Sequence, residues 1–363
     1  MVRALFFILI VGALVLIVLS LIRRTPQARR ASGDDTGEQR ALPPPPSAAS
    51  DRALSRATVR EFLHELAFDA QLGVSVPAEH VKVVSAVIGT LQVAATSPRY
   101  AVRRPLLLPE IVRAVNDSDT TRRELARLIA RDPALVGSLL RLANSPIYRR
   151  GSTPIENVER ALTVLGTQGF RSLVAAALVQ PVFRSSQPGA GKFPEIVWDS
   201  TQRAAAAAEL YAAGVEVSDS FAAQLVALVM GLGAIVVYRV ALDEYSLQRL
   251  EPDATTLASL LDAQTAEVAR QIAASWDLSD RFVQALAEQK GDDNTQPDSS
   301  LGRSLRFGLT VGALAVLRAN GRIDDDVGLA TLVAAGGTGE RFERLWGRLT
   351  AAPDTEPSRV ASR

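Results

Sequence analysis

The chain has 363 residues, of which 47% are hydrophobic, with 40 basic side chains against 39 acidic and no cysteine. That balance excludes nucleic acid as a bulk electrostatic partner, and the missing thiols exclude disulfides, cysteine-ligated clusters and thiolate zinc sites. Alanine is plentiful, aromatics make up only 5%, and only Lys82, Lys192 and Lys290 are lysines, a composition that favours helices crossing through small side chains.

Ala4 to Ile22 is a 19-residue apolar run whose one polar side chain is Ser20. As a helix it reaches roughly 28 Å, close to the hydrocarbon thickness of a bilayer. It exceeds a signal-peptide core and runs into Arg23-Arg24 without a small-residue cleavage site, which favours an uncleaved anchor. Arg23, Arg24, Arg29 and Arg30 follow the run and only Arg3 precedes it. The positive-inside rule then predicts one pass through the inner membrane, with everything after residue 24 in the cytoplasm. Residues 1–24 are therefore expected to be the anchor, and 25–50, ending in Pro43–Pro46, a flexible proline-rich linker.

Helical patterns begin at Ser55–Leu72 and Pro77–Ala95, giving an extension over 51–100. Thr121 and Glu124 have capping-box spacing, and Asp132-Pro133 is an N-cap followed by a first-turn proline. Gly166 stands where a C-terminal cap belongs. Longer helices are predicted over 195–214, 219–241, Leu257–Trp276, Ser279–Glu288 and Leu301–Arg318, with a polar break at Gly291–Ser299. Residues 300–350 read as C-terminal helices and 351–363 as a disordered tail. No period-two alternation calls for a sheet, so the expected fold class is all-α.

Four segments now acquire a common meaning: Pro105–Ile111, Arg131-Asp-Pro-Ala-Leu135, Arg141-Leu-Ala-Asn-Ser-Pro-Ile-Tyr148 and Ala161-Leu-Thr-Val-Leu-Gly166. Their order and spacing resemble the HDOD family, the HD-related output domains of bacterial signalling proteins, over about residues 101–293. The resemblance implies a multi-helix HD-like bundle. It places the HD metal positions at Trp198-Asp199-Ser200, Met230-Gly231 and Gln264-Thr265, where the expected histidines and His-Asp pair do not stand. What it implies is regulation rather than catalysis, with no catalytic, metal or cofactor residues.

The only histidines, His64 and His80, precede the resembling segment and read as solvated surface residues. Without cysteine or histidine inside that segment, no Ser-His or Cys-His dyad assembles there. Gly231-x-Gly233 lacks a phosphate loop's remaining glycines and reads as close helix contact. Gly336-Gly337-Thr338-Gly339 reads as a turn, and Arg122, Arg123, Arg127 and Arg131 as a solvated face.

The candidate interaction site is the loop carrying Arg141, Asn144, Ser145 and Tyr148. Asn144 and Ser145 also suit a helix stop, with Tyr148 packed on a neighbour. The expected role is a membrane-tethered module that binds protein partners of a signalling pathway, with no nucleic acid. The alternative is a small-anion or nucleotide sensor, of cyclic-dinucleotide type, using the degenerate cavity.

Overall fold

The computed structural model describes residues 52–350 except 95–96, 98, 103, 106, 118–119, 146–152, 185–191 and 291–294. The expected anchor at Ala4–Ile22, the linker at 25–50 and the tail at 351–363 lie outside the described residues. The described residues belong to one compact unit, Pro46–Arg363. They are helical, and none of them forms a strand.

Helix α1, Arg56–Phe68, starts where Ser55 Oγ accepts the Thr58 N–H, and it stops where Asp69 turns left-handed at φ 53°. The predicted segment ran on to Leu72. The second predicted helix resolves into a 3-10 turn, Ala78–His80, and α2, Val81–Leu91. Three short helices follow: α3, Leu108–Asn116; α4, Arg122–Ala130; and α5, Pro133–Ala143. The N-caps of the last two are those read from the sequence. Glu124 N–H donates to Thr121 Oγ1 at 3.3 Å, and the Glu124 carboxylate accepts the Thr121 N–H at 2.8 Å. Asp132 Oδ1 accepts from Leu135 N at 3.1 Å, so each cap satisfies a first-turn donor that the helix leaves open.

Gly166 does adopt a conformation that favours glycine, φ 70° and ψ 177°, but it does not end the helix. It kinks α6, Val158–Arg184, because the chain beyond it is apolar enough to resume coiling inside the core. Phe170, Leu173 and Val174 are fully buried there. The sequence reading left 167–184 unassigned.

The longer helices form the body: α7, Phe193–Tyr211, closing in a π-turn, Ala212–Glu216; α8, Ser220–Gln248; α9, Ala254–Ser275; α10, Asp280–Ala287, continued by a 3-10 turn, Glu288–Lys290; and α11, Ser300–Ala319. Helix α12, Asp325–Ala334, and α13, Glu340–Thr350, complete the described chain. Helix α8 is long and apolar enough to cross a membrane, yet it is buried on all sides by protein, as a central core helix must be. Arg99 and Tyr100 tie the preceding segment to it, donating to Asp243 at 2.8 and 2.7 Å.

Helix α11 lies closest to α7. A Cβ on Gly312 would stand 2.5 Å from Ala204 N and 2.6 Å from Ser200 O, and one on Gly308 would stand 2.5 Å from Ala204 O. The two backbones therefore touch, with no side chain between them. A second apolar cluster, including Val59 of α1, Val311 and Leu314 of α11 and Phe342 and Trp346 of α13, packs beside this crossing. Tyr211 stacks on Phe307 at 4.3 Å. Each such buried side chain contributes roughly 1.5–3 kcal/mol.

The crossing predicts an inverted substitution effect. Alanine normally stabilises a helix interior over glycine by about 1 kcal/mol, and Gly347→Ala in α13, where a Cβ meets nothing within 4 Å, should raise Tm. Gly312→Ala should instead lose about 1–3 kcal/mol through overpacking, read from urea denaturation of the two variants side by side.

Candidate functional site

The interaction loop resolves in part. Asn144, one residue past α5, donates through Nδ2 to Leu140 O at 2.8 Å and Ile155 O at 2.9 Å, and accepts Ile155 N–H at 2.8 Å. Its amide is committed to joining α5 to the strand of chain before α6. Ser145 Oγ donates to Leu142 O at 2.7 Å, and the exposed Arg141 donates to Ser138 Oγ at 2.9 Å. Tyr148, with Pro146, Arg149 and Arg150, lies outside the described residues. Asn144 and Ser145 are thus helix-stop residues, and Arg141 is the described member of the loop that faces solvent. On the neighbouring helix, Arg131 pairs with Glu110 at 2.6 Å and Arg127 is exposed; the side chains of Arg122 and Arg123 lie outside the described residues.

A second site forms where α7, α8 and α9 meet α1 and α11. It is a cavity of about 350 Å³. Each of the three stretches singled out by the resemblance reaches it: Ser200 from α7, next to Thr201, Met230 and Gly231 from α8, and Thr265 from α9. Asp199 is instead held by Arg203 in a bidentate pair, at 2.8 and 2.9 Å. At position 231 a Cβ would come 2.3 Å from Thr201 Oγ1, and at 233 it would come 2.6 Å from Thr265 O. Thr201 therefore occupies the room that any side chain at 231 would need. The two glycines serve close helix contact, as their spacing suggested.

Both histidine expectations are corrected. His64 lines the cavity with Arg56, Arg60 and Leu63 of the same α1 face. It lies four residues from Arg60 and from Phe68, on the face that α1 turns to the body, and its ring centroid is 6.2 Å from that of Phe68. Burial depresses its pKa below the ordinary 6.5, reinforced by the Arg60 charge and opposed by Asp262. His80 is buried, with Nδ1 3.1 Å from the Tyr245 hydroxyl. The 3-10 turn that carries it, tighter than an α-turn, replaces the first helical turn in which it was expected to face solvent.

Arg60 meets Asp262 at 3.3 Å across the cavity. Lys290, at the rim, pairs with Glu267 at 2.6 Å; hydrogen bonds from Arg270 and Lys290 hold that carboxyl at about 2. Three cations thus line the cavity against one carboxylate and one imidazole. A divalent metal needs several convergent oxygen or nitrogen donors and a favourable local charge. Among the described residues no group of three or more His, Cys, Asp or Glu converges to supply them. The residues present do not fit the ion.

The HDOD domain model matches residues 103–291. The chain belongs to the HDOD family. Among solved structures, a candidate metal-dependent phosphohydrolase from Shewanella amazonensis SB2B aligns over 76% of this chain and 99% of its own, at 17% identity and a TM-score of 0.50. A second candidate phosphohydrolase from that organism covers 73% of this chain and 93% of its own, at 21% identity and 0.49. An HDOD domain protein from Geobacter sulfurreducens covers 81% and 94%, at 15% and 0.44. No curated protein is a significant match. At these identities the likeness is one of fold. The HDOD segment supplies the α7, α8 and α9 walls of the cavity; α1 and α11, outside that segment, supply the others.

The sequence reading located three walls but missed those that α1 and α11 supply, of which α1 brings the charged groups. The available signal was Arg60 and His64 four residues apart, flanked by Leu63 and Ala67 on one helical face.

Two measurements check these assignments. Asn144→Ala should cost about 2–3 kcal/mol by stranding Ile155 backbone groups. Asn144→Asp should cost at least as much, since a carboxylate would face two carbonyls; urea midpoints decide it. His64, with its folded pKa below the unfolded 6.5, takes up a proton more readily once unfolded. Stability should therefore fall as pH drops below about 6.5, and Tm profiles from pH 7.5 to 5 should be flatter for His64→Gln.

Proposed function

We propose that this HDOD protein is a non-catalytic signalling module, held at the inner membrane by Ala4–Ile22, that works by contact with protein partners. The observation carrying the non-catalytic part is Gly231 with Thr201 against it. A ligand side chain at 231 would displace the neighbouring helix's threonine, and the charged groups lining the cavity are three cations and one carboxylate. A metal-activated water, the basis of phosphohydrolysis on related scaffolds, would need a donor set that does not gather among the described residues. Arg141, exposed at the end of α5, and Tyr148 are the contact residues of the loop.

A second reading has its own support. The cavity is enclosed by five helices, mostly apolar, and carries a few polar groups, which is the make-up of a small-molecule site. In this reading the chain senses a ligand and passes the signal on. About 350 Å³ is at the lower end of such sites, which suits a compact molecule better than a cyclic dinucleotide with two bases and two phosphates.

For the leading proposal, the full-length protein incubated with Mn²⁺ or Mg²⁺ should show neither a Tm shift nor hydrolysis of p-nitrophenyl phosphate above buffer. Phosphate release abolished by chelation would overturn it. Cross-linking in membranes, with mass spectrometry, should give partners for the wild type that Tyr148→Ala loses; identical partner sets would remove the loop from the proposal.

A further inference from the structure

The cavity's lining is asymmetric. Phe193 and Val197 of α7, Met230 of α8 and Leu261 of α9 make an apolar wall, whereas Arg56, Arg60 and His64 bring cationic and polar character from α1. Arg56 and Arg60 lie one turn apart in the first half of α1, where the helix dipole also favours negative charge. Asp262 reaches Arg60 with both side chains close to half exposed, at 42% and 44%. A pair so placed is weak, and a planar guanidinium matches the geometry of a phosphate or phosphonate group. Gln289, also lining the cavity, keeps a buried Oε1 without a hydrogen-bond partner. That atom can only accept, so it suits a ligand with an O–H of its own.

We infer that the cavity binds an organic phosphate or phosphonate monoester-sized acid with an apolar body, its acid group at Arg56 and Arg60 and its body against Met230, Leu261 and Phe193. This rests on the sensor reading and names its ligand class. A carboxylate supplies the charge without the O–H; a phosphonate monoanion supplies both. His64, on the same α1 face, adds an N–H donor beside them. Helix α1 thereby becomes a ligand-binding wall, and it is the helix that leads back towards the amino-terminal segment. Binding there would be felt by the part of the chain outside the HDOD segment.

The test is calorimetry on the full-length protein in lipid nanodiscs, with phenylphosphonate as probe. Inorganic phosphate supplies the charge without the body, and benzyl alcohol the body without the charge. Phenylphosphonate should bind one to one, and each control at least about tenfold more weakly, since a charge-assisted hydrogen bond is worth that much. Arg60→Gln should weaken phenylphosphonate about tenfold, and Met230→Trp, which fills the cavity, should abolish binding. Hydrogen exchange on the wild type gives a readout independent of variant folding: α1 amides should slow with phenylphosphonate and not with benzyl alcohol. Equal affinity for inorganic phosphate, undiminished binding by a cooperatively melting Met230→Trp, or unchanged α1 exchange would overturn the inference. If phenylphosphonate is silent while benzoate, a carboxylate outside the class, binds and Met230→Trp loses it, the ligand class falls and the sensor reading stands. If every probe is silent, both fall.

Discussion

Backbone contact between α7 and α11 is the constraint from which the rest of the body follows. Gly308 and Gly312 let α11 settle directly on Ala204 and Ala208, and any side chain between them would separate the axes. Ordinary helix pairs stand 8–10 Å apart because side chains interdigitate; this pair has nothing to interdigitate at its closest point. With α11 seated there, Val311 and Leu314 reach the α13 residues Phe342 and Trp346 in the second core cluster, which also takes in Val59 of α1. Helix α1 is thereby drawn onto the HDOD helices instead of standing as an appendage.

That seating is also what makes the cavity. The same economy recurs around α8, with Gly231 admitting Thr201 of α7 and Gly233 admitting the α9 backbone. These contacts hold α7, α8, α9 and α11 close together, and α1 then spans the opening they leave. The result is a hollow whose walls come from both inside and outside the family segment. Both of its arginines and its histidine come from α1, so a description confined to residues 103–291 would omit them.

Local chemistry was readable from the sequence; tertiary placement was not. Thr121, Glu124 and Asp132 announced their caps because an N-cap depends on residues three apart and on little else. Gly166 announced its left-handed conformation but not what followed, since continuation of the helix depends on Phe170 and Leu173 finding a core. His64 and His80 were misplaced for a related reason. A histidine among charged neighbours looks exposed until the face it occupies is known to be covered, and only the packing of α1 and the tightness of the 3-10 turn decide that. At the site, the emptied positions at 200, 230–231 and 265 could be found from the family pattern, whereas the arrival of Arg56, Arg60 and His64 opposite them is a long-range event. Asn144 shows the converse: its turn chemistry was legible, and both of its amide N–H donors and one lone pair of its oxygen are taken up within the fold.

The charge of the cavity bears on what an HD-like hollow can become once it no longer holds a metal. A divalent site is a cluster of anionic and neutral donors around a cation, and the protein must supply the negative charge. Here the sign is reversed: arginines from α1 and Lys290 at the rim outnumber the single Asp262. A metal would meet repulsion as well as a lack of donors, while an anion would meet attraction in a partly desolvated pocket, where electrostatic interactions are stronger than in water. A ligand side chain at 231 would meet Thr201, and the α1 cations would oppose a metal ion. A partly buried histidine and two arginines a turn apart suit an anion instead. Under the sensor reading both effects come from a single helix, α1, laid across the same opening.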